Sequence, residues 1–175
     1  GSDGALGSNP TIITNGGYFG TSSGVQLPSL NISGGTVKLT SDISTIGSQT
    51  YDDIVLAKSN TANTLALSTD NANITINGTI NDSADKVSSL SADAGTATVI
   101  LGNSIGNIHR FNALTVTGGN IYILADILTG TTQTYNGSVW IGDRTYLGQA
   151  FVEGFLYSSY SGYFVYGSGA SASSY

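Results

Sequence analysis

The chain lacks cysteine and methionine altogether, and its 175 residues include one glutamate (Glu153), one histidine (His109) and one tryptophan (Trp140). Without cysteine there is no disulfide framework and no thiolate metal site, a condition compatible with export from a bacterium. Without methionine the chain cannot begin at its own start codon, so Gly1 is expected to be a processing site, an excerpt boundary or a cloning scar. Charge is scarce as well: 5 basic residues stand against 11 acidic ones, for a net charge of −6. The cations Lys38, Lys58, Lys86, Arg110 and Arg144 are scattered singly. No stretch is built to neutralise a phosphate backbone, which argues against a nucleic-acid partner. No apolar run approaches the roughly 20 residues of a membrane helix, so no membrane span is expected. Helix-favouring Ala-Leu-Glu-Lys patterns are missing, while 24 glycines and abundant Thr, Ser and Asn fill the chain. The fold class expected is all-β.

What is present is a repeat. Leu30–Leu56 (LNISGGTVKLTSDISTIGSQTYDDIVL) lies over Leu114–Trp140 (LTVTGGNIYILADILTGTTQTYNGSVW) without a gap, an 84-residue repeat with 10 of 27 positions identical. The identities include Gly34/Gly118, Gly35/Gly119, Gln49/Gln133, Tyr51/Tyr135 and Val55/Val139. Apolar residues at every second place, as in Ile32/Val116, Val37/Ile121 and Leu39/Ile123, give the period of half-buried strands. A repeated strand-and-turn unit signals a stacked architecture in which no unit buries its apolar face alone. The expected fold is a parallel β-helix. Dividing the 84-residue unit into four coils of about 21 residues each starts the rungs near Leu30, Tyr51, Ala72 and Asp93, with the next unit at Leu114.

Strands are expected near Thr36–Thr40, Ile54–Ala57, Thr64–Ser68, Asn73–Ile76, Thr96–Leu101, Leu114–Thr117, Asn120–Leu124 and Ser138–Ile141. Gly-Gly, Asn-Gly and Asp-Asp pairs between them turn the backbone at low cost. The inward set is expected to be Ile32, Val37, Leu39, Ile43, Val55, Leu65, Leu67, Ile74, Ile76, Val99, Leu101, Val116, Ile121, Ile123 and Val139. Four parts follow: residues 1–29 as the end of a preceding repeat, 30–113 as a complete repeat, 114–150 as a second partial repeat, and 151–175 as a Tyr/Gly/Ser-rich cap or contact segment. The last part leaves the repeat and holds five of the ten tyrosines. Because Tyr suits interfaces, Tyr157, Tyr160, Tyr163, Phe164 and Tyr166, with Tyr18 and Phe19, are the candidates for self-association.

The phrase Thr-x-x-x-Gln-Thr-Tyr-[Asn/Asp]-x-x-Val at Thr45–Val55 and Thr129–Val139, preceded by Leu-x-[Ile/Val]-x-Gly-Gly-x-[Val/Ile]-x-[Leu/Ile], resembles the repeats of filamentous-haemagglutinin-like exoproteins. The resemblance covers roughly Pro10 to Gly148. It implies a right-handed parallel β-helix secreted to the bacterial surface, with a task in attachment, surface structure or biofilm. Low charge, abundant Gly and Tyr and the terminal edges expected of a solenoid favour the protein itself as a partner, head to tail or by strand addition, and an attachment role adds glycans or a host or neighbouring cell surface.

Enzymes also use β-helices, and a catalytic residue should then be unique to one rung. Asp42 recurs as Asp126, and the Asp52-Asp53 pair lies over Asn136-Gly137, so these are expected to hold turns. Asp82, Asp85 and Asp93 with Asn81 have neither EF-hand nor nonapeptide calcium spacing. His109 has no orienting carboxylate near in sequence. No phosphate loop, Gly-x-Ser-x-Gly or metal-spaced His pair appears. The expectation is therefore a structural or adhesive protein with no catalytic residue, no metal and no cofactor. The alternatives are a polysaccharide-active β-helix enzyme, or an ice-binding Thr ladder through Thr96, Thr98, Thr115 and Thr117, which Asn31-Ile-Ser33 interrupts in the first copy.

Overall fold

The computed structural model describes residues 28–57 and 64–142 in full, together with the backbone of the strands Gly4–Leu6, Tyr146–Glu153, Leu156–Ser158, Tyr163–Phe164 and Ser173–Ser174. No helix occurs among the described residues. Thirteen strands join one sheet: β1 (Gly4–Leu6), β2 (Leu30–Leu39), β3 (Ile43–Thr45), β4 (Gln49–Leu56), β5 (Thr64–Thr69), β6 (Ile74–Ile76), β7 (Ile80–Asp82), β8 (Ser89–Asp93), β9 (Thr98–Leu101), β10 (Leu114–Ile123), β11 (Ile127–Ile141), β12 (Tyr146–Glu153) and β13 (Leu156–Ser158). Every pairing among them is parallel, and only β14 (Tyr163–Phe164) and β15 (Ser173–Ser174) pair antiparallel, in a sheet of their own. The eight strand segments expected from the sequence all overlap strands of this sheet.

The registers sort the windings into three faces. On the first face the inward column runs Leu30, Gln49, Ile74, Val99, Ile121, Val139. On the second it runs Val37, Ile54, Ile80, Ile105, Ile127. The third carries Leu65, Leu90, Leu114, Gln133 beside Ile43, Leu67, Ala92, Val116, Tyr135. Residues on each side of these positions alternate between core and solvent, so a winding such as the one opening at Leu30 contributes Leu30, Ile32, Val37, Leu39 and Ile43 to one continuous interior. Burying each Ile or Leu contributes about 1.5–3 kcal/mol. Of the fifteen positions expected to point inward, fourteen are buried; Val55 is half-buried while its neighbours Ile54 and Leu56 are in the core.

The windings are not of the uniform length that an even division of the repeat implies. The registers pair Val37 with Ile54 and Leu114 with Gln133, which makes those windings short. They pair Ile54 with Ile80 and Ile74 with Val99, which makes those windings long. The cause is the passage from the second face to the third. It is tight between β2 and β3, absent within the continuous β11, and longer between β4 and β5, between β7 and β8, and before β10. The division of the 84-residue repeat into four whole coils is corrected as well. Leu30 belongs to the first face and Leu114 to the third, so the two copies are offset by one face around the axis.

Candidate functional site

The repeat-defining residues form two buried polar knots. In the first copy the Tyr51 hydroxyl donates to Gln49 Oε1 at 2.9 Å, and Gln49 Nε2 donates to Thr45 Oγ1 at 3.2 Å and to the carbonyl of Ile43 at 3.4 Å. In the second, Tyr135 donates to Gln133 Oε1 at 3.0 Å, and Gln133 Nε2 to Thr129 Oγ1 and to the carbonyl of Ile127, both at 3.3 Å. All six side chains are buried. The strand alternation drives Gln and Tyr inward, and each finds its partner two residues away on its own strand, which satisfies the buried amide and phenol. Gln49 Nε2 also donates to the carbonyl of Ser68, in the next winding, at 2.7 Å. Burial pushes the Tyr51 phenol well above its ordinary pKa.

The Gly-Gly pairs sit where the chain crosses from one face to the next. Gly34 adopts a φ of 80° and donates its N–H to the Asp52 carboxylate, with Gly35 half-buried beside it. Gly118 is buried, and a β-carbon at Gly119 would run into the carbonyl oxygen of Thr96. Both pairs lie at register shifts between neighbouring strands.

The carboxylates with chemical potential hold backbone. Asp42 Oδ1 accepts from Ala66 N at 2.8 Å, and Asp53 Oδ1 accepts from Thr79 N at 2.6 Å and from its hydroxyl at 3.0 Å. Buried Asp82 accepts from Ser83 N at 2.7 Å and Ser88 N at 2.6 Å, closing its own loop. Asn81 Oδ1 accepts from Ile108 N at 2.9 Å and Asp85 Oδ1 from Arg110 N at 3.0 Å, so the loop after β7 is stacked on the loop before β10. Asp93 accepts from Gly95 N at 2.8 Å on a different face. His109 Nδ1 lies 3.5 Å from Asp85 Oδ1 without a hydrogen bond between them, a proximity that sequence distance concealed. Among the described residues no group of three or more His, Asp or Glu side chains could hold a metal ion. No long apolar helix capable of crossing a membrane occurs among them either.

The sequence reading missed an exposed aromatic ridge. With Ile121 and Ile123 inward, Tyr122 points out of β10. The register sets Tyr122 beside Ile100 of β9 on one side and Trp140 of β11 on the other. The two rings are 6.3 Å apart between centroids with planes 13° from parallel. Trp140 is 48% exposed and Tyr122 36%, with Leu124 exposed beside them. The signal was available: the chain's only tryptophan stands at an outward position of the alternation. The repeat masks it, because Trp140 aligns with the core residue Leu56 in the other copy.

Of the self-association candidates, Tyr18, Phe19, Tyr160 and Tyr166 lie outside the described residues; Tyr157 is placed on β13, and Tyr163 and Phe164 on β14, by backbone alone. Comparison with known proteins returns no matching family model, no matching curated protein and no matching solved structure.

Proposed function

We propose that the chain is a right-handed parallel β-helix of the bacterial exterior with a structural or adhesive task, carrying an 84-residue sequence repeat over windings of unequal length. The observation that carries this reading is the use made of polar chemistry: the carboxylates of Asp42, Asp53, Asp82 and Asp85 accept backbone N–H groups at the corners between windings. Side chains spent on holding corners suit a scaffold. Few charges, aliphatic columns and parallel ladders also suit an element that continues by stacking on a second copy. The partners in this reading are the chain itself and a glycan-bearing or cellular surface.

Electron microscopy of the purified chain over a range of concentrations tests assembly. Fibres one solenoid wide are expected, and monodisperse particles at high concentration would contradict it. The enzyme alternative is tested by depolymerisation assays on polysaccharides with Asp82→Ala, Asp93→Ala and His109→Ala; the scaffold reading expects no activity in the parent chain and none to lose.

A further inference from the structure

The aromatic ridge on the first face belongs to a longer pattern. Its column of outward residues runs Asn31, Thr50, Thr75, Ile100, Tyr122, Trp140, and the backbone register sets Tyr157 of β13 next in line. Beside it Asn120 is paired between Thr98 and Ser138, and Asn73 Oδ1 accepts from Thr98 N at 3.1 Å. Neither row contains a charged residue. One end of the face is therefore aromatic, the other is a run of short hydroxyl and amide side chains, and strand stacking spaces the positions about 4.8 Å apart along the axis.

We propose that this face binds a neutral polysaccharide lying along the solenoid axis, with Tyr122 and Trp140 as its stacking platform. The proposal rests on the adhesive reading above and names the ligand class for it. The chemistry matches in three respects. A pyranose ring presents an apolar face of C–H groups with partial positive charge, which an aromatic π-face attracts. Its rim of hydroxyls needs donors and acceptors of short reach, which Asn120, Ser138, Thr98 and Thr75 supply. The absence of cations along both rows leaves nothing to neutralise a sulfated or uronate chain, a phosphate backbone or an anionic lipid. The near-parallel packing of the rings holds them as one unit, so little side-chain freedom remains to be lost on binding.

Size separates this ligand from a protein partner. Half-exposed Tyr and Trp side chains with Leu124 and Ile100 offer on the order of 200–300 Å² of apolar surface, given about 150–250 Å² for a whole aromatic side chain. A stable protein interface needs about 800 Å² from each partner. A short stretch of sugar chain covers such a ridge and continues onto the polar rows.

Trp140, as the sole tryptophan, reports directly on the site. Its emission is followed during titration with hexasaccharides of β-1,4-glucan, β-1,3-glucan, xylan and mannan, and with heparin and oligogalacturonate as charged controls. The expected result is a saturable blue shift or intensity change with at least one neutral hexasaccharide and none with the charged pair. Tyr122→Ala, which keeps the reporter, is expected to weaken that binding by roughly tenfold or more. Trp140→Ala, followed by calorimetry, is expected to abolish it, and Trp140→Phe to restore part of it. Far-UV circular dichroism of each variant should match the parent, since both side chains are outward.

No response to any neutral hexasaccharide, or undiminished binding by the Tyr122→Ala/Trp140→Ala double variant, would overturn the site. So would a concentration-dependent dimer of the parent that the double variant abolishes in the absence of sugar binding. Attachment of immobilised protein to cells separates the two levels. Attachment that survives in the double variant overturns the ridge and leaves adhesion standing, whereas a parent chain that binds the sugar in solution yet attaches to no cell removes the adhesive reading alone.

Discussion

The two copies of the repeat build the same polar knot on different faces. Thr45, Gln49 and Tyr51 turn the corner from the third face to the first, while Thr129, Gln133 and Tyr135 turn the corner from the second to the third. Corresponding hydrogen bonds have nearly equal lengths: tyrosine to glutamine is 2.9 Å in one copy and 3.0 Å in the other, and glutamine to threonine 3.2 Å and 3.3 Å. In both copies the glutamine pairs with the leucine that opens its unit, Leu30 or Leu114. The motif thus specifies a corner and the winding next to it, and carries no memory of which face it occupies. The copies part company just after the knot. Asp52-Asp53 of the first becomes Asn136-Gly137 in the second. Gly137, at φ 146° and placed where a β-carbon would run into the carbonyl oxygen of Gly118, takes up one extra residue in β11. That residue explains Val55: it aligns with Val139, yet Ile54 occupies the core place that Val139 fills.

The largest effect is expected from a charge placed in either copy's core. Val37→Asp on the second face and Ile121→Asp on the first each bury an unpaired carboxylate, at a cost above about 4 kcal/mol. Thermal melts should show both variants unfolded or far less stable; a mild effect in one alone would mean that the copies do not share one interior.

Next in size are Gln49→Ala and Gln133→Ala, each of which removes a hydrogen bond to the tyrosine hydroxyl, one to the threonine and one to a backbone carbonyl. Urea titration should give similar losses of about 2–4 kcal/mol in the two variants. Part of the first is the bond from Gln49 to the carbonyl of Ser68 in the next winding. Markedly unequal losses would mean that the two knots, alike in geometry, are not alike in energy.

Gly137→Ala should cost about 1–3 kcal/mol through backbone strain. Asp53→Gly, which brings the first copy closer to the second, should cost only about 1 kcal/mol for the bonds to Thr79. The reverse ranking in equilibrium unfolding would refute Gly137 as the residue that resets the register.

The smallest effect is in pH. Tyr51 is protonated in the core and its folded pKa lies above the unfolded value near 10, so its contribution is complete below about pH 10 and falls away as pH rises beyond it. Stability measured from pH 8 to 11 should be level and then decline. Tyr51→Phe should lower the plateau by about 1–2 kcal/mol and reduce the alkaline slope. An unchanged slope in that variant would place the alkaline sensitivity elsewhere.

Much of the interior was legible in the sequence, because period-two alternation of aliphatic residues fixes inward positions wherever a strand is straight, as at Leu65, Leu67, Val99 and Leu101. The winding was not. Self-similarity reports the period of the sequence, and the period of the coil depends on corner loops that alternate between tight passages and segments such as 106–113. The structural use of Asp42 and Asp53 followed from the recurrence of Asp42 as Asp126 and the alignment of Asp52-Asp53 with Asn136-Gly137, but their partners, Ala66 and Thr79, lie a full winding further on. The ridge of Tyr122 and Trp140 needed the register, since the two residues are neighbours only across strands. The same is true of Asp85 and His109.

Windings of unequal length, and hence two copies displaced by one face, are tested most directly by proximity. The chain has no cysteine of its own, so paired substitutions can be bridged with dibromobimane, which fluoresces only when it links two thiols in near contact. The registers place Thr50 beside Thr75, so Thr50→Cys with Thr75→Cys should give strong fluorescence and Thr50→Cys with Asn71→Cys only background. Coils of uniform length, four to the repeat, require the opposite. Bright Thr50/Asn71 and dark Thr50/Thr75 pairs would contradict the account.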